Sequence, residues 1–545
     1  MPFHAARAGS PVGLPWQRRD TLVAAAFAGA GLATRWAVRG RSLHSFDSGL
    51  LASGILDFDF SRESPHPPYY PLTIAAGKVL VWCGMRPVDA LVLLAVLSSG
   101  LLAAATYAVG RQVGGRLVGC GAAAFVLLSP TALFNGAVAL SYALEGASSA
   151  AVAWTAWRVR ERPSPLRGVA AGATLAVAVG IRPSAAVFLA PVALWATWRH
   201  RRALAGCLAG GAATSFTWFA GMLAAGGGLR AFLTYNSYQT RHVIVSRTAA
   251  EEGWEVAGEH LARLGSYVET ELPFLAAVAV VAVAFSFLLR HRRRGPALPF
   301  LAAWALPGLL FYTFVYVGWP VYPTGYAMVL LPPLAIAAAL ALRGAASGIL
   351  ASGAPRAAQG VAVALVLAVA LAPASWAARW DDAMARQREA DGRDAGWRGV
   401  EAAFPANETA MVTFLQWHWV RAEHPDYVVW GVLPYWNETG RLLVQVAQSQ
   451  HRSVDRPTAA DFLDGPDEDP HPIPPGIRLV LLPEDGDRDL LKPSVNVTQV
   501  TLPSGRVALG FDPAGLSSIE QAMRWFDDDG RLVRETLPQG DLRGL

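Results

Sequence analysis

The sequence predicts a polytopic α-helical membrane protein with about eleven transmembrane helices, followed by a C-terminal extracytoplasmic α/β domain. Hydrophobic residues make up 53% of the 545-residue chain and charged residues only 16%, whereas soluble domains carry about 25% charged residues. The charge is also divided unevenly, because residues 1–377 hold 29 Lys and Arg against 14 Asp and Glu, and residues 378–545 hold 17 against 27. We therefore assign 1–377 to a membrane domain and 378–545 to a soluble domain.

The transmembrane helices are predicted from apolar runs of the length that crosses a hydrocarbon core, about 17–25 residues. The run over 168–198 is too long for one span and contains Arg182-Pro183. Because proline breaks a helix interior, we expect two short helices there, 168–181 and 184–198, joined by a tight turn. The other nine spans are predicted at 21–37, 91–110, 117–135, 139–157, 203–225, 273–290, 297–316, 325–342 and 360–377.

The distribution of arginine predicts the orientation of these spans. With a cytoplasmic N-terminus, the inner loops hold 18 of the 29 basic residues of the membrane domain and only two acids, Asp20 and Glu161. Basic residues concentrate in cytoplasmic loops, so eleven crossings place the C-terminal domain outside. The basic charge thus sets orientation, and we expect no nucleic-acid partner. A signal peptide over 18–37 is the alternative, but no small-residue cleavage site follows that run cleanly.

The C-terminal domain shows strand patterns and glycosylation sequons. Runs of β-branched and apolar residues predict strands, and longer mixed stretches predict helices; the strands are expected at 409–414, 427–430 and 477–482, and the helices at 383–403 and 515–526. Three of the five asparagines in the chain begin N-x-Thr sequons, and all three lie in this domain: Asn407, Asn437 and Asn496. We expect N-glycans there, on a surface outside the cytoplasm.

Candidate chemistry concentrates in the predicted first outer loop, residues 38–90, rather than within the spans. A second large outer loop is predicted over 226–272. Asp47 follows the first span by about ten residues and precedes a helix-compatible apolar stretch, 48–56. A carboxylate at the start of a helix is stabilised as the anion, so Asp47 is either a helix N-cap or a functional carboxylate held ionised.

The same region resembles the GT-C glycosyltransferases, in particular the branch of protein O-mannosyltransferases and aminoarabinose transferases. The resemblance rests on the acidic residue after the first span, the long first outer loop with His66-Pro-Pro-Tyr-Tyr-Pro71-Leu, and the later motif Tyr322-Pro-Thr-Gly-Tyr326 before Leu331-Pro-Pro333. It extends over residues 1–377, and the outer C-terminal domain is similar in position to that of many family members.

The resemblance implies transfer of a sugar, with mannose as one candidate, from a polyprenyl- or dolichyl-phosphate donor to a glycan, protein or lipid acceptor at the outer face of the bilayer. Asp47 matches the catalytic carboxylate of the family, which acts as the general base in an inverting displacement. One carboxylate suffices because the lipid phosphate leaves without needing a proton.

Two further residues match family positions near the acceptor. Glu145 resembles a second acidic position that holds the acceptor or a divalent cation in some relatives; the structural alternative is a Glu paired with an Arg for packing. His66 either contacts the donor phosphate or shapes the turn before Pro-Pro. No cofactor is assigned beyond that candidate divalent cation, and its metal ligands are not identified.

The donor phosphate needs cations or hydroxyl donors near the outer surface. The candidates are Arg182, Arg241, His242, Tyr322 and Tyr326, although the Arg or His that relatives often carry beside the last tyrosine motif is missing here. Each of these side chains could instead simply reach the membrane interface. The alternative functions are a transporter or flippase of lipid-linked sugars, which would place ionisable residues at mid-bilayer, and a non-catalytic anchor that displays the C-terminal domain.

Overall fold

The computed structural model describes most of the membrane domain and the central part of the C-terminal domain. All structural statements below concern residues 15–43, 45–60, 64–240, 248–271, 296–315, 325–351, 373–397, 400–413, 417–424, 426–436, 442–449, 476–481, 491–503, 507–511 and 515–523, together with 473, 505 and 529.

Helices account for nearly all of the described membrane domain. In chain order they are α1 (Arg18–Ala37), α2 (Phe46–Leu56), α3 (Pro71–Trp82), α4 (Pro87–Leu128), α5 (Pro130–Asn135), α6 (Tyr142–Glu161), α7 (Pro165–Ile181), α8 (Ala185–Thr197), α9 (Arg201–Ala225), α10 (Gly228–Gln239), α11 (Ala249–Glu252), α12 (Trp254–Glu271), α13 (Ala297–Phe314) and α14 (Leu331–Ala351). By length and composition α4, α9 and α13 could each cross a membrane. The count of eleven spans stays a prediction.

The boundaries of these helices follow the sequence patterns. α4 is 42 residues long, but Gly115 within it has a φ of 82°, so it consists of two helical segments, as the separate predictions 91–110 and 117–135 require. The second predicted span is too long, because α4 ends at Leu128 and Pro130–Asn135 form the separate helix α5. The predicted span 325–342 begins later than expected, as a 3₁₀ turn over Gly325–Val329 precedes α14. Pro332 and Pro333 fit only the first turn of a helix. The predicted span 273–290 lies outside the described residues. The same holds for residues 360–372 of the predicted span 360–377, whose last five residues begin the helix Pro373–Trp397.

The proline-interrupted run forms the predicted pair of helices. α7 ends at Ile181, α8 begins at Ala185, and Arg182 lies in the turn between them. α7 packs most closely on α9 through glycines spaced four residues apart on both helices. A Cβ added at Gly172 would lie 1.8 Å from the carbonyl oxygen of Cys207, and one added at Gly210 would lie 2.3 Å from that of Val169. Backbone contact of this kind requires small residues and fixes α7, which leads directly to Arg182.

The C-terminal part contains the helices α15 (Pro373–Trp397), α16 (Val400–Ala403) and α17 (Trp417–Glu423) and one six-stranded sheet. Its strands are β1 (Thr409–Thr413), β2 (Val428–Trp436), β3 (Leu442–Ser449), β4 (Arg478–Leu481), β5 (Val497–Thr501) and β6 (Val507–Phe511), in the order β3-β2-β1-β4-β6-β5. β1 is parallel to β2 and β4, and the outer pairs are antiparallel. The strands predicted at 409–414, 427–430 and 477–482 all lie in this sheet.

The helix predicted over 515–526 is wrong where the structure describes it. Residues 515–523 contain only a 3₁₀ turn, Glu520–Ala522. The backbone N–H of Ser517 and the hydroxyl of Ser517 both donate to Oε1 of Gln521. Such local bonds between side chain and backbone compete with a continuous helix.

Two helices of the C-terminal part pack directly on the first loop of the membrane domain. α17 packs on α2. In α15, the carboxylate of Asp391 accepts from the backbone N–H of Arg41 at 2.9 Å and from both the N–H and the hydroxyl of Ser42, at 3.0 and 2.8 Å. These bonds fix the chain a few residues before α2 begins, so the C-terminal part helps to position that helix.

Candidate active site

Asp47 lies on the first turn of α2 but does not cap it. The N-cap is Ser45, whose hydroxyl accepts from the backbone N–H of Ser48 at 3.2 Å and also pairs with the Ser48 hydroxyl at 2.7 Å. The interpretation of Asp47 as an N-cap is therefore wrong, because serine takes that role with the extended backbone that caps adopt. The half-buried Asp47 carboxylate remains beside the positive end of the helix dipole.

His66 and Tyr70 form a hydrogen-bonded pair in the same loop. Nε2 of His66 lies 3.1 Å from the Tyr70 hydroxyl, with the rings edge to face at a centroid distance of 5.3 Å. Burial lowers the pKa of His66, and the nearby Asp47 carboxylate opposes this by favouring the cation. Burial likewise raises the pKa of Tyr70. A neutral imidazole and a neutral phenol thus lie next to the Asp47 charge.

The backbone around this pair is strained. Tyr69 and Tyr70 have φ values of 73° and 48°, in the left-handed region, which bulky residues rarely adopt and which costs on the order of 1–3 kcal/mol for each residue. Both rings are buried, with Phe60 packed on Tyr69 at a centroid distance of 4.5 Å. Strain held in place by packing at a polar cluster is typical of a functional site. In this backbone conformation the Tyr70 side chain lies next to the turn between α7 and α8.

Arg182 lies in that turn, surrounded by three tyrosine rings. Its guanidinium carbon is 4.3 Å from the ring centre of Tyr142, 5.3 Å from that of Tyr326 and 5.6 Å from that of Tyr70. Cation–π contacts of this length strengthen when they are desolvated, and Arg182 is buried. Residues from a loop, from α6 and from the 3₁₀ turn before α14 thereby converge on one cation.

Glu145 pairs with this arginine. Its Oε2 lies 3.5 Å from Nε of Arg182, and its Oε1 accepts from the Ser184 hydroxyl at 3.3 Å. Glu145 is 1% exposed, and a carboxylate so deeply buried requires a partner. The guanidinium is the observed partner of this carboxylate, as in the structural alternative, while Oε2 accepts no hydrogen bond within the described residues. The divalent cation stays a prediction. Within the described residues, no three His, Cys, Asp or Glu side chains form a group that could hold a metal ion.

The Asp47 region and the Arg182 region belong to one electrostatic environment. The charge of Asp47 reaches His66, Tyr70 and Tyr142, and the charge of Arg182 reaches the same three side chains. A carboxylate and a buried guanidinium thus act on the same three aromatic side chains. The carboxylate can accept a proton, and the guanidinium can neutralise an anion.

The remaining predicted residues divide into exposed and undescribed ones. Asn407 and Asn496 are both exposed, the first in a turn before β1 and the second just before β5. Arg241, His242, Tyr322 and Asn437 lie outside the described residues. Tyr70 and Tyr142 were not predicted as site residues. Tyr70 lies in the motif His66-Pro-Pro-Tyr-Tyr-Pro71-Leu, which was the available signal, and Tyr142 lies three residues before Glu145 within a predicted span.

Comparison with known proteins identifies the fold. Neither a protein-family model nor a curated protein matches this sequence. Among solved structures, ArnT from Cupriavidus metallidurans bound to undecaprenyl phosphate is similar, with a TM-score of 0.54 and 16% identity over 91% of this chain and 98% of that one. The structure of ArnT in the apo state has a TM-score of 0.53 and 16% identity, over 90% of this chain and 97% of that one. An Archaeoglobus fulgidus oligosaccharyltransferase in complex with Zn and sulfate has a TM-score of 0.49 and 12% identity, over 89% of this chain and 72% of that one. The likeness to ArnT confirms the GT-C fold of a helical membrane protein.

Proposed function

We propose that the protein is a membrane glycosyltransferase that transfers a sugar from a polyprenyl or dolichyl phosphate to an acceptor hydroxyl. The observation that supports this most strongly is the convergence of Asp47, His66 and Tyr70 with the Glu145–Arg182 pair. This convergence occurs in a chain with the fold of ArnT, a protein whose structure holds undecaprenyl phosphate. Mannose stays a candidate sugar from the sequence resemblance, and the acceptor is a glycan, a protein or a lipid.

In the proposed reaction Asp47 is the general base. The acceptor oxygen attacks the anomeric carbon and its proton passes to the Asp47 carboxylate, while the bond from that carbon to the phosphate oxygen breaks. Attack opposite the leaving group inverts the anomeric configuration. The Asp47 carboxylate lies on the first turn of α2, beside the positive end of the helix dipole. Positioned proton transfer of this kind contributes about 10²–10⁴-fold in rate.

Arg182 is proposed to stabilise the phosphate that leaves. Charge increases on the phosphate oxygens as the bond to the sugar breaks, and a fixed cation in a dry site stabilises that charge without reorganisation. The tyrosines around Arg182 hold the guanidinium in place, and Glu145 keeps it oriented from the side opposite the ligand. In this role Glu145 is a positioning residue. No step of the proposal passes through a metal ion.

The predicted topology belongs to the same proposal. Active groups on the outer side require that the first loop and the C-terminal domain, 378–545, face away from the cytoplasm. The acidic charge of that domain, the arginine-rich inner loops and the exposed sequons at Asn407 and Asn496 all support this orientation.

The test is a transfer assay on the full-length protein in liposomes that contain a polyprenyl-phosphate sugar and a cell-envelope extract as the source of glycan, protein and lipid acceptors. Release of polyprenyl phosphate is followed by mass spectrometry. The wild type should release it, and Asp47→Asn should not. Asp57→Asn is the matched control, because Asp57 caps the other end of α2 and plays no part in the reaction. No release by the wild type from any of a panel of sugar donors, or equal release by Asp47→Asn, would reject the proposal.

A further inference from the structure

A cavity of about 820 Å³ lies apart from the candidate active site. It forms where the end of α1, the turn between α3 and α4, and the helices α15 and α17 meet, and its lining includes Trp36, Arg39, Arg41, Arg86 and Glu423. None of the residues of the Asp47–Arg182 cluster lines it. Its volume is in the range of ligand sites, about 300–1,000 Å³, and the mechanism proposed above does not use it.

Three arginines and three carboxylates line this cavity, namely Arg39, Arg41 and Arg86 with Asp89, Asp394 and Glu423. Two of the arginines, Arg39 and Arg41, are distinguished from the third by their contacts. The guanidinium of Arg39 stacks on Trp36 at 4.0 Å and donates to the Trp36 carbonyl at 2.8 Å. Neither Arg39 nor Arg41 pairs with a carboxylate among the described residues. Arg86, by contrast, forms a bond of 2.8 Å with Asp89. A guanidinium donates two parallel hydrogen bonds to two oxygens of one phosphate, so arginines without a carboxylate partner suit such an anion.

Glu423 supplies an acceptor that has no partner. It is the last residue of α17, its side chain is 9% exposed, and its Oε2 lies 3.7 Å from Nη1 of Arg86. The other oxygen, Oε1, is buried and has no hydrogen-bond donor in the part of the chain that the structure describes. An unsatisfied buried acceptor costs about 1–3 kcal/mol. A ligand hydroxyl would satisfy it.

The cavity opens at the level of a membrane interface. Trp36 at the end of α1 and Trp82 at the end of α3 are exposed by 49% and 87%, and exposed tryptophans at helix ends mark the boundary between lipid and water. Gly84 and Met85, directly after α3, line the cavity. A headgroup at the bilayer surface could therefore reach the cavity.

We propose that this cavity binds a phosphate ester that carries a free hydroxyl, with the phosphate on Arg39 and Arg41 and the hydroxyl donating to Oε1 of Glu423. The binding is non-covalent, and it is independent of sugar transfer. Such an ester is either the headgroup of a membrane phospholipid or a soluble sugar or glycerol phosphate. The experiment below separates the two sources.

The test is native mass spectrometry of the purified full-length protein in detergent, given two lipids of equal charge: phosphatidylglycerol, which has free hydroxyls, and phosphatidylmethanol, which has none. The wild type should retain phosphatidylglycerol about tenfold more than phosphatidylmethanol, because one hydrogen bond in a buried site is worth about that factor. Equal retention would overturn the proposal without any variant.

Three variants locate the ligand. The double variant Arg39→Gln/Arg41→Gln should lose about tenfold or more in retention of both lipids. Glu423→Met, near-isosteric and without an oxygen, should remove only the preference for phosphatidylglycerol. Arg199→Gln is the matched control, because Arg199 also stacks on a tryptophan, Trp198, at 4.7 Å but lies outside the cavity. Wild-type retention by the double variant would overturn the proposal.

A soluble competitor decides the source of the ligand. If millimolar glycerol phosphate displaces phosphatidylglycerol from the wild type but leaves the residual lipid on the double arginine variant, the site accepts soluble phosphate esters. If it displaces nothing, the membrane lipid is the ligand. Absence of any retained lipid, together with no saturable binding of glycerol phosphate, contradicts both sources and the proposal.

Discussion

The buried carboxyl of Glu423 should make the stability of the protein depend on pH. Burial raises the pKa of Glu423 to about 7, against the partly offsetting charge of Arg86 and with support from Asp394 and Asp89. The folded protein therefore retains a proton that the unfolded chain releases near pH 4.5, so stability falls as pH rises between these values. From pH 5 to pH 8 this one group removes about 2.5 kcal/mol of stability.

The perturbation is Glu423→Gln, which keeps the shape of the side chain and cannot ionise. We expect the variant to be more stable than the wild type by most of that free energy at pH 8, and by little at pH 5. The assay is the thermal unfolding midpoint of the purified protein in detergent at pH 5, 6, 7 and 8. Glu408→Gln, which changes an exposed carboxylate in the same domain, is the control and should follow the wild type. Parallel pH profiles for wild type and Glu423→Gln would refute the reasoning.

Three other predictions concern the site and its support. Glu145→Gln and Arg182→Gln should each lower the free energy of unfolding by about 3–5 kcal/mol, because each leaves a buried charge unpaired. The double variant should lose clearly less than the sum of the two in thermal unfolding, and additive losses would contradict the pairing. Gly172→Ala should destabilise the protein by about 1–3 kcal/mol, because the added methyl group would collide with α9. Gly221→Ala should not, since Gly221 has open space around it. Equal thermal unfolding midpoints for the two variants would reject the close contact of α7 with α9. Burial lowers the pKa of His66, so the free energy of unfolding should fall below about pH 6.5, where the unfolded chain gains a proton. His66→Gln should remove that loss. The same decrease of the unfolding midpoint at acidic pH in the variant and the wild type would contradict this prediction.

Much of the membrane domain could be predicted because its signals are local. Arg182-Pro183 interrupts an apolar run that is too long for one span, and a proline disfavours a continuous helix at that point. The start of α2 near Asp47 followed from composition alone. The residue that caps this helix did not, since Ser45 and Asp47 are both good caps and only the backbone geometry distinguishes them.

The arrangement around Arg182 could not be predicted because it depends on contacts between distant segments. Tyr70, Tyr142 and Tyr326 come from three separate parts of the chain, and nothing in their local sequence requires that they surround the same guanidinium. The left-handed backbone of Tyr69 and Tyr70 was equally inaccessible, since bulky residues disfavour it and tertiary packing overrides that preference. The sequence did offer an arginine as one alternative partner of Glu145, and Arg182 is the partner observed.

The most direct test of the central claim separates donor binding from turnover in Asp47→Asn. With the same liposome preparation, the affinity for a polyprenyl-phosphate sugar and the single-turnover rate of transfer are both measured. If Asp47 is the base, the affinity stays within about twofold of the wild type while the rate falls by about 10²–10⁴-fold. A variant that transfers at the wild-type rate, or that loses only affinity, would contradict the assignment of Asp47 as the residue that removes the proton.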